Sequence, residues 1–535
     1  MQKKYTKNEN FINKSVKIMS IIMFATILIL MLFIDTNVDY NYKNEVKLKN
    51  YMFFFSVIFI LIILFILKKF LKNRKEQVKR IITVIESKTI PIIVALFIVL
   101  VVFQLLMIRN LYFETTWDVE HLVNTVKNFA KTGVFENNTY CGTFPYFSLY
   151  PNNLFLANIF AVISKVVILF GEDYIYKTLM VIGVILVDIA GILMIKTIGN
   201  FTDRRIFKII GMLGFMAFIG VSPWLLVPYS DTYSIFFPIS ILYNYTKKEK
   251  KAYNYLLIGL CSYMGYLIKP TVIIVLIAIV IIEFGKVLTK LKEKSNQRKM
   301  AKNLTFVIIG IVMVGLLKFG LSKVTNYQAN KEYEISMFHY LMMGISQEST
   351  GSFSHNDVYR SLSVDKYEER IKINKEIFAQ RLQEMSLRDL CDFYTKKMLV
   401  NYNDGTLAWG REGGFYDKIN EHEDRLANIM KNFYYNHGSI FYLYTNIMQF
   451  IWIFILVFIL MRAVLKKFDK NVSVAFLSLI GLTIFLLIFE ARARYLYLYS
   501  TYYIIISVLG IESFFYKEDE KIKQLESKYD IKKEE

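Results

Sequence analysis

Four residues with chemically capable side chains lie within five positions of one short segment, TTWDVEHLVN. They are Trp117, Asp118, Glu120 and His121, and the segment directly follows the apolar run at 90–108. Carboxylate and imidazole groups are the usual proton carriers of enzymes. Asp118 and Glu120 are therefore candidate catalytic residues, with Trp117 and His121 as candidate substrate contacts. The D-x-E pair could also hold one divalent cation.

The residues after this segment predict the element that carries it. HLVNTVKNFAKTGVF places Leu122, Val126 and Phe129 on one helical face, which indicates an amphipathic helix over 121–131 on the outer membrane surface. Asp118 lies near the N-terminal end of that helix, where the helix dipole favours a carboxylate. An N-cap aspartate beside an interfacial tryptophan explains the same residues equally well.

A second group of polar and aromatic residues lies in FPYFSLYPNN, just before the apolar stretch at 154–170. Tyr150, Asn152 and Asn153 could form a rim that positions a polar head group near the bilayer. The alternative is an ordinary belt of aromatic residues at the membrane interface.

Charged residues also occur at the predicted outer ends of apolar segments, where the positive-inside tendency disfavours cations. They are Asp231 in SPWLLVPYSDTYS, Lys269 in YLIKPTVII, and Glu490, Arg492 and Arg494 in FEARARYLYLYS. The arginines are interpreted as phosphate ligands, because guanidinium matches phosphate oxygens bidentately, and Lys269 as a cation for a lipid phosphate. The alternatives are a helix cap, a snorkelling lysine and arginine neutralised by Glu490.

Two further segments, MFHYLMMGISQESTGSFSHND and YNDGTLAWGREGGF, are rich in glycine, aromatic and polar residues. Both are predicted as ordered loops rather than helix, because glycine interrupts any period. His339, Trp409 and Glu412 would then be carbohydrate contacts, although plain turns have a similar composition. Apart from the D-x-E pair we expect no metal site and no cofactor.

Composition places the chain among polytopic membrane proteins. Of its 535 residues 55% are hydrophobic and 16% aromatic, and apolar runs of about 20 residues recur along it. The net charge of +20 comes largely from lysines in short loops, as the positive-inside rule predicts, so nucleic-acid binding is not indicated. Three cysteines are too few for a disulfide framework. Cys141 and Cys391 fall in segments placed outside and could pair there.

Hydropathy predicts an all-α protein with about twelve membrane-spanning helices and both termini in the cytoplasm. They lie at roughly 17–35, 51–69, 89–109, 177–196, 207–228, 231–246, 252–268, 271–289, 304–322, 444–462, 473–489 and 495–514. The stretch 154–170 is interpreted as an interfacial helix, because a further crossing there would place the basic loop at 203–208 outside. Two segments, 110–176 and 323–443, then face the exterior.

These motifs resemble the GT-C superfamily of polytopic glycosyltransferases, near the protein O-mannosyltransferase and lipid A aminoarabinose transferase branch (family 39). In that class a span leads into a long outer loop with an acidic catalytic residue and juxtamembrane helices. Here span 89–109 leads to Asp118, helix 121–131, FSLYPNN and helix 154–170. The segments WDVEH, YSDTYS, FHYLMMGI, DGTLAWGREGGF and EARARYL also resemble a Gram-positive group of this class.

The resemblance implies a domain organisation. A two-helix membrane extension at 1–88 precedes a GT-C-like transmembrane core at 89–322, whose first outer loop is 110–176. An extracytoplasmic, α-rich domain follows at 323–443, then C-terminal membrane helices at 444–514. A charged cytoplasmic tail occupies 515–535.

It also implies a reaction at the outer face of the cell membrane. The donor would be a sugar linked to polyprenyl phosphate, and the acceptor an envelope glycan, lipid or protein. Asp118 would act as general base on the acceptor hydroxyl. Arg492 and Arg494, together with Lys269, would hold the donor phosphate.

Other functions fit part of the sequence. A transporter or flippase for a lipid-linked sugar predicts charges at mid-membrane and an internal repeat, neither of which is evident. A structural or sensory membrane protein would not need Asp118, Asp231, Arg492 and Arg494 to converge. A polysaccharide polymerase or ligase would use a similar lipid phosphate.

Overall fold

The computed structural model describes residues 2–34, 48–73, 75–135, 139–140, 144–290, 294–409, 411, 418–419 and 421–516. Within these ranges the side chains of 2–10, 71–73, 75, 79, 139–140, 285–290, 294–297 and 299 are not described.

Helices dominate the described residues, as the recurring apolar runs predict. The α-helices are α1 Gln2–Phe33, α2 Asn50–Asn73, α3 Lys75–Ser87, α4 Thr89–Asn110, α5 Asp118–Thr132, α6 Tyr146–Leu149, α7 Leu154–Val167, α8 Asp173–Phe201, α9 Ile206–Phe215, α10 Ser230–Ser234, α11 Phe236–Thr246, α12 Ala252–Ile268, α13 Ile273–Lys290, α14 Lys294–Thr325, α15 Met337–Gly344, α16 His355–Leu362, α17 Tyr367–Glu384, α18 Leu387–Tyr402, α19 Arg425–Tyr434, α20 Phe441–Leu465, α21 Lys470–Ile488 and α22 Ser500–Phe515. The prediction of an all-α polytopic membrane protein is confirmed.

Four two-residue strands form two small antiparallel pairs. They are β1 Phe113–Glu114 with β4 Lys418–Ile419, and β2 Thr139–Tyr140 with β3 Phe144–Pro145. The first pair joins the chain just before α5 to the segment just before α19.

Nine helical stretches among the described residues are long and apolar enough to cross a membrane. They are Phe11–Phe33, Asn50–Phe70, Thr89–Asn110, Pro151–Phe170, Asp173–Phe201, Met300–Thr325, Phe441–Leu465, Lys470–Ile488 and Ala493–Phe515. All but Pro151–Phe170 coincide with a predicted span. The predicted spans 207–228, 231–246, 252–268 and 271–289 fall on shorter or interrupted helices.

The interruption of the 207–228 span has a local cause. Helix α9 ends at Phe215, a π-helical turn covers Met216–Gly220, and a 3-10 helix begins at Pro223. Proline lacks an N–H and disfavours helical backbone in the residue before it, so an α-helix cannot run through this point. The carbonyl of Gly220 instead accepts a hydrogen bond from the Gln104 side chain at 3.0 Å.

Charged residues lie at three such interruptions. Asp231 lies at the start of the short helix α10, and Lys269 in extended backbone between α12 and Pro270. Glu490 follows α21, in extended backbone that leads into the 3-10 helix Ala493–Tyr499. At these breaks the charged side chains lie at helix ends, where those of Asp231, Lys269 and Arg494 turn toward one another.

Helix α7 occupies the stretch predicted to lie along the membrane interface. It packs against α5 and α14, and the Lys165 amino group lies 4.8 Å from the Phe129 ring centroid. Its length and apolar composition would also suit a crossing. The interfacial orientation of 154–170, and with it the cytoplasmic placement of both termini, stays a prediction.

The described residues between α14 and α20 form helices α15 to α19, and we call this part of the chain the inserted domain. The prediction of loops over 337–357 is wrong in part, because MFHYLMMG forms α15 and His355 begins α16. The predicted helical stretch after Ser363 is two helices, α17 and α18, separated where Ser386 caps α18. Cys391 is exposed, whereas Cys141 lies outside the described residues. The predicted domain boundaries stay predictions.

Close helix packing in the bundle depends on glycine at the α12–α14 contact. A Cβ atom on Gly259 would overlap the carbonyl oxygen of Val307, and one on Gly310 would overlap that of Leu256. We therefore expect Gly259→Ala and Gly310→Ala to push these helices apart and lower the melting temperature in detergent. Gly320→Ala on α14 is the matched control, because nothing lies within 4 Å of its Cβ position. Equal melting temperatures for all three variants would contradict this prediction.

Candidate functional site

Asp118 is the first residue of α5, and Trp117 is the N-cap residue. Trp117 has φ of 67°, in the left-handed region that bulky residues rarely adopt. No side-chain capping bond occurs at this helix start. The interpretation of Asp118 as a simple N-cap is therefore wrong, and its carboxylate is available for a long-range contact.

That contact is with Tyr229, just before α10, which in turn lies near Asn153, just before α7. The Tyr229 hydroxyl donates to Asp118 Oδ2 at 2.9 Å. Asn153 Nδ2 donates to the Tyr146 hydroxyl at 2.6 Å and lies 3.5 Å from the Tyr229 hydroxyl. The His121 ring stacks on Tyr146 with centroids 4.6 Å apart. Asp118 thus lies at the edge of a network that joins three separate parts of the chain.

Protonation in this network is fixed by burial. Burial raises the pKa of the Tyr229 and Tyr146 hydroxyls well above its usual range, and the neighbouring Asp118 carboxylate raises it further. Both hydroxyls therefore stay protonated and act as donors toward Asp118. Burial also lowers the pKa of His121, so its ring is neutral near pH 7.

Asp231 links two buried cations. Its Oδ1 forms an ion pair with the Lys269 amino group, and its Oδ2 lies 3.3 Å from Arg494 Nε. The exposed fractions of Asp231, Lys269 and Arg494 are 1%, 8% and 5%. Neither the capping interpretation of Asp231 nor the snorkelling interpretation of Lys269 holds, because both side chains are turned inward and paired.

Aromatic rings surround the Arg494 guanidinium. Its carbon lies 4.4 Å from the Trp117 ring centroid, 5.8 Å from those of Trp224 and Tyr229, and 5.6 Å from that of Tyr495. Cations over aromatic faces are stabilised by the ring quadrupole, more strongly when water is excluded. Trp117 therefore connects Asp118, its neighbour in sequence, to the cation at the centre of the site.

Glu490 and Arg492 complete the arrangement. Arg492 Nε donates to Glu490 Oε1 at 2.9 Å, and the Tyr495 hydroxyl donates to Glu490 Oε2 at 2.9 Å. The Lys269 amino group lies 4.5 Å from the Tyr495 ring centroid. We call Asp118, Asp231, Lys269, Glu490, Arg492 and Arg494, with the rings of Trp117, Tyr229 and Tyr495, the charged cluster.

Several predicted site residues lie elsewhere. His339 is buried in the inserted domain, where its Nδ1 lies 2.7 Å from Ser361 Oγ. The Trp409 indole donates to the Tyr434 carbonyl at 2.7 Å, and its ring packs on Trp224 at 5.4 Å. The side chains of His339 and Trp409 therefore pack inside the protein. Glu412 lies outside the described residues.

The amide and tyrosine rim lies partly at the site. Asn153 belongs to the Asp118 network, whereas Tyr150 packs against Tyr146 at 5.4 Å and Asn152 lies 3.4 Å from Asn153 Oδ1. Tyr150 and Asn152 therefore lie beside the network, next to Tyr146 and Asn153.

Asp118 and Glu120 lie two positions apart on α5, a spacing at which helical side chains do not face each other. A divalent cation at this pair stays a prediction. Within the described ranges, no group of three or more His, Cys, Asp or Glu is arranged to hold a metal ion.

Sequence reasoning missed two residues of the site, Tyr146 and Tyr495, and one acidic residue of a membrane-spanning helix, Asp188. Tyr146 and Tyr495 lie inside segments that were singled out, but tyrosines are so frequent there that nothing distinguishes these two. Asp188 lies near the middle of α8, where its Oδ1 accepts a hydrogen bond from Gln104 at 2.9 Å. A single Asp in an apolar run was the available signal, and it is an exception to the placement of charges at the ends of spans.

Comparisons with known proteins give a family but no close relative. No curated protein matches the chain. Two solved structures of ArnT from Cupriavidus metallidurans are similar, one in the apo state and one bound to undecaprenyl phosphate. Their identities are 11% and 12% and their TM-scores 0.30 and 0.29, over 78% of this chain and 77% of theirs. These TM-scores are too low to bear on the function of this chain.

The family comparison covers almost the whole chain. The matching model is described as "Conserved hypothetical integral membrane protein" and spans residues 10–514. The match includes every residue of the charged cluster. The chain is a member of this family of integral membrane proteins.

Proposed function

We propose that the protein is a membrane glycosyltransferase that moves a sugar from a polyprenyl-phosphate donor to an acceptor hydroxyl outside the cell. The observation that carries this proposal is the convergence of Asp118 with Asp231, Lys269 and Arg494 through Tyr229 and Trp117. A structural or sensory protein would have no need to gather these residues from four separate parts of the chain.

The basic side chains of the cluster suit an anionic ligand. Lys269 and Arg494 share the carboxylate of Asp231, and Arg492 pairs with Glu490. With Asp118 the cluster has three acidic and three basic side chains. Guanidinium and ammonium groups are the side chains that bind phosphate, so an incoming donor phosphate could take the place of a carboxylate at Lys269 or Arg494.

The position of the cations suits a lipid-linked phosphate. Arg494 lies in the 3-10 turn that starts the apolar stretch Ala493–Phe515, and Lys269 lies just before the apolar helix Pro270–Phe284. A phosphate held there would leave its polyprenyl chain beside apolar helices. Arg494 and Lys269 would be the main ligands, with Arg492 in support.

In the proposed reaction Asp118 removes the proton from the acceptor hydroxyl. The acceptor oxygen attacks the anomeric carbon of the donor sugar, and the bond from that carbon to the phosphate oxygen breaks. The electron pair leaves with the polyprenyl phosphate, which gains one negative charge. Lys269 and Arg494 would stabilise that charge, which is where catalysis by cations is most effective. Tyr229 would orient the Asp118 carboxylate.

The acceptor would be an envelope glycan, lipid or protein. The GT-C resemblance supplies this class of acceptor, and the site's position at the predicted outer ends of α4 and α21 is consistent with it. A polymerase or ligase reaction would use the same phosphate site.

One observation favours the alternative of a transporter or flippase for a lipid-linked sugar. Asp188 is a carboxylate within the membrane-spanning helix α8, bonded to Gln104. Ionisable residues in that position commonly mark a transport path. Because this observation involves one acidic residue, whereas the charged cluster gathers six charged side chains, transfer chemistry accounts for more of the structure.

A donor assay distinguishes the two functions. Purified protein in detergent would be incubated with radiolabelled polyprenyl-phosphate hexoses and a crude envelope acceptor fraction, and released polyprenyl phosphate measured. We expect one donor to be turned over, with the label appearing in the acceptor. Donor translocation in liposomes without release of polyprenyl phosphate would instead establish the flippase.

A further inference from the structure

A buried lysine lies just outside the charged cluster. Lys397, on α18 of the inserted domain, has no exposed surface. Its amino group donates to the Gly344 carbonyl and, at 2.7 Å, to the Phe489 carbonyl. Burying an ammonium group costs free energy unless the group is paired, so a buried lysine at this position indicates a specific role. Its two acceptors belong to different parts of the protein, the inserted domain and the connection after α21.

The loop after α15 packs against the same connection after α21, residues 489–492. Gly344 packs against the Ile488 and Phe489 backbone, where a Cβ atom would come within 2.6 Å of the Ile488 carbonyl oxygen. The Gly351 carbonyl accepts a hydrogen bond from the Ala491 N–H at 2.8 Å. Phe353 lies under the Arg492 guanidinium, 5.8 Å away. Residues 344–353 therefore hold the connection along its length.

Glycine at position 351 leaves room for the lysine. Its φ of 73° lies in the left-handed region, and a Cβ atom there would come within 2.6 Å of the Gly344 carbonyl oxygen and 2.8 Å of Lys397 Cε. The loop therefore packs closely around the Lys397 side chain. Lys397 belongs to the contact between the inserted domain and the connection after α21.

This connection carries two charged residues of the cluster. Residues 489–492 include Glu490 and Arg492, and the next turn presents Arg494 toward Asp231. A shift of this backbone would therefore move Glu490, Arg492 and Arg494 together.

We propose that Lys397 is a positioning residue of the donor-phosphate site, which fixes residues 489–492 to the inserted domain and adds its own positive charge to the attraction for phosphate. This inference rests on the proposed function. Lys397 does not touch the donor; it acts through Glu490, Arg492 and Arg494.

The lysine also makes the site sensitive to pH. Burial lowers the pKa of Lys397 from 10.5 to about 7, while the Glu490 carboxylate acts in the opposite direction. The ammonium charge is thus present below about pH 7 and lost above it. A sugar phosphodiester keeps its single negative charge through this range, so donor affinity should fall as pH rises through 7.

Other ionisable groups near Lys397 do not reproduce this behaviour. His339 on α15 is bonded to Ser361, and burial lowers its pKa to about 4. Glu348, in the loop after α15, is exposed. The packed parts of α1 and α21, residues 18–33 and 473–488, carry no charged side chain.

The test is equilibrium binding of radiolabelled polyprenyl-phosphate mannose and glucose to the full-length protein, at about pH 6 and about pH 8.5. We expect wild type to bind more weakly at the higher pH. Lys397→Met should bind about tenfold more weakly than wild type at the lower pH, because the backbone that carries Glu490, Arg492 and Arg494 loses a charged hydrogen bond and the site loses a nearby positive charge. It should also lose the pH dependence. Lys397→Arg should bind at both pH values as wild type does at the lower one.

Lys396→Met is the matched control, because Lys396 is the adjacent lysine on α18 and its ion pair with Asp392 is partly exposed. It should bind like wild type at both pH values. Faster hydrogen exchange at 489–495 in Lys397→Met would support the positioning role. Lys397→Met with wild-type affinity and pH dependence would overturn it, as would equal wild-type affinity at the two pH values if Lys397→Met does not fold. Wild type that binds neither donor would overturn the proposed function instead.

Discussion

Replacing Asp118 with asparagine is expected to reduce sugar transfer by about 10²- to 10⁴-fold, the usual contribution of a general base. Asparagine has nearly the same shape and can still accept the hydrogen bond from the Tyr229 hydroxyl. It cannot take the proton from an acceptor hydroxyl. The variant should therefore fold, insert and bind the donor like wild type, and fail only in turnover. Release of polyprenyl phosphate under single-turnover conditions measures this directly.

A matched control separates the chemistry from the loss of a negative charge at a helix start. Asp173 is also the first residue of a helix, α8, and is exposed. Asp173→Asn makes the same chemical change and should leave turnover unchanged. Wild-type turnover by Asp118→Asn would remove Asp118 from the role of base. Loss of donor binding in that variant would assign it to ligand contact instead.

Hydropathy predicted the long helices because each must cover its own backbone with apolar side chains in lipid. It could not predict where a helix is interrupted. The 207–228 span breaks before Pro223, and the charge at Lys269 falls between α12 and α13. Such breaks depend on which neighbouring groups satisfy the freed backbone, as Gln104 does for Gly220, and those neighbours are distant in sequence.

For the candidate site, too, the sequence predicted one part and left another part open. The sequence predicted which residues are unusual, because Asp231, Lys269 and Arg494 are charges at the ends of apolar segments. It left open whether each was a cap, a snorkelling chain or a ligand, since local spacing is compatible with all three. Only packing decides that the three side chains share one buried ion-paired group. His339 shows the complementary limit: its neighbours in sequence, Phe338 and Tyr340, gave no indication that its ring is buried beside Ser361.

Replacing Asp231 with asparagine is expected to be the most destabilising single change in the cluster. It leaves Lys269 and Arg494 buried, close together and without their shared carboxylate. Removing one partner of a buried ion pair costs about 3–5 kcal/mol of unfolding free energy. Two mutually repelling cations should place this variant at the upper end of that range. The apparent melting temperature in detergent, supported by size-exclusion profiles, measures the loss.

A second variant tests this prediction within the same group of charges, in which two cations share one carboxylate. Lys269→Met leaves one cation, Arg494, beside Asp231, so it should destabilise less than Asp231→Asn even though both remove one charge. Asp203→Asn is the external control, because its ion pair with Lys248 has side chains 90% and 73% exposed and should contribute at most about 1 kcal/mol. If Lys269→Met were the more destabilising, the lysine would be needed for packing rather than for charge. The expected order would instead show that Lys269 and Arg494 repel each other in the folded protein and need an anion between them, a need that the donor phosphate would also meet.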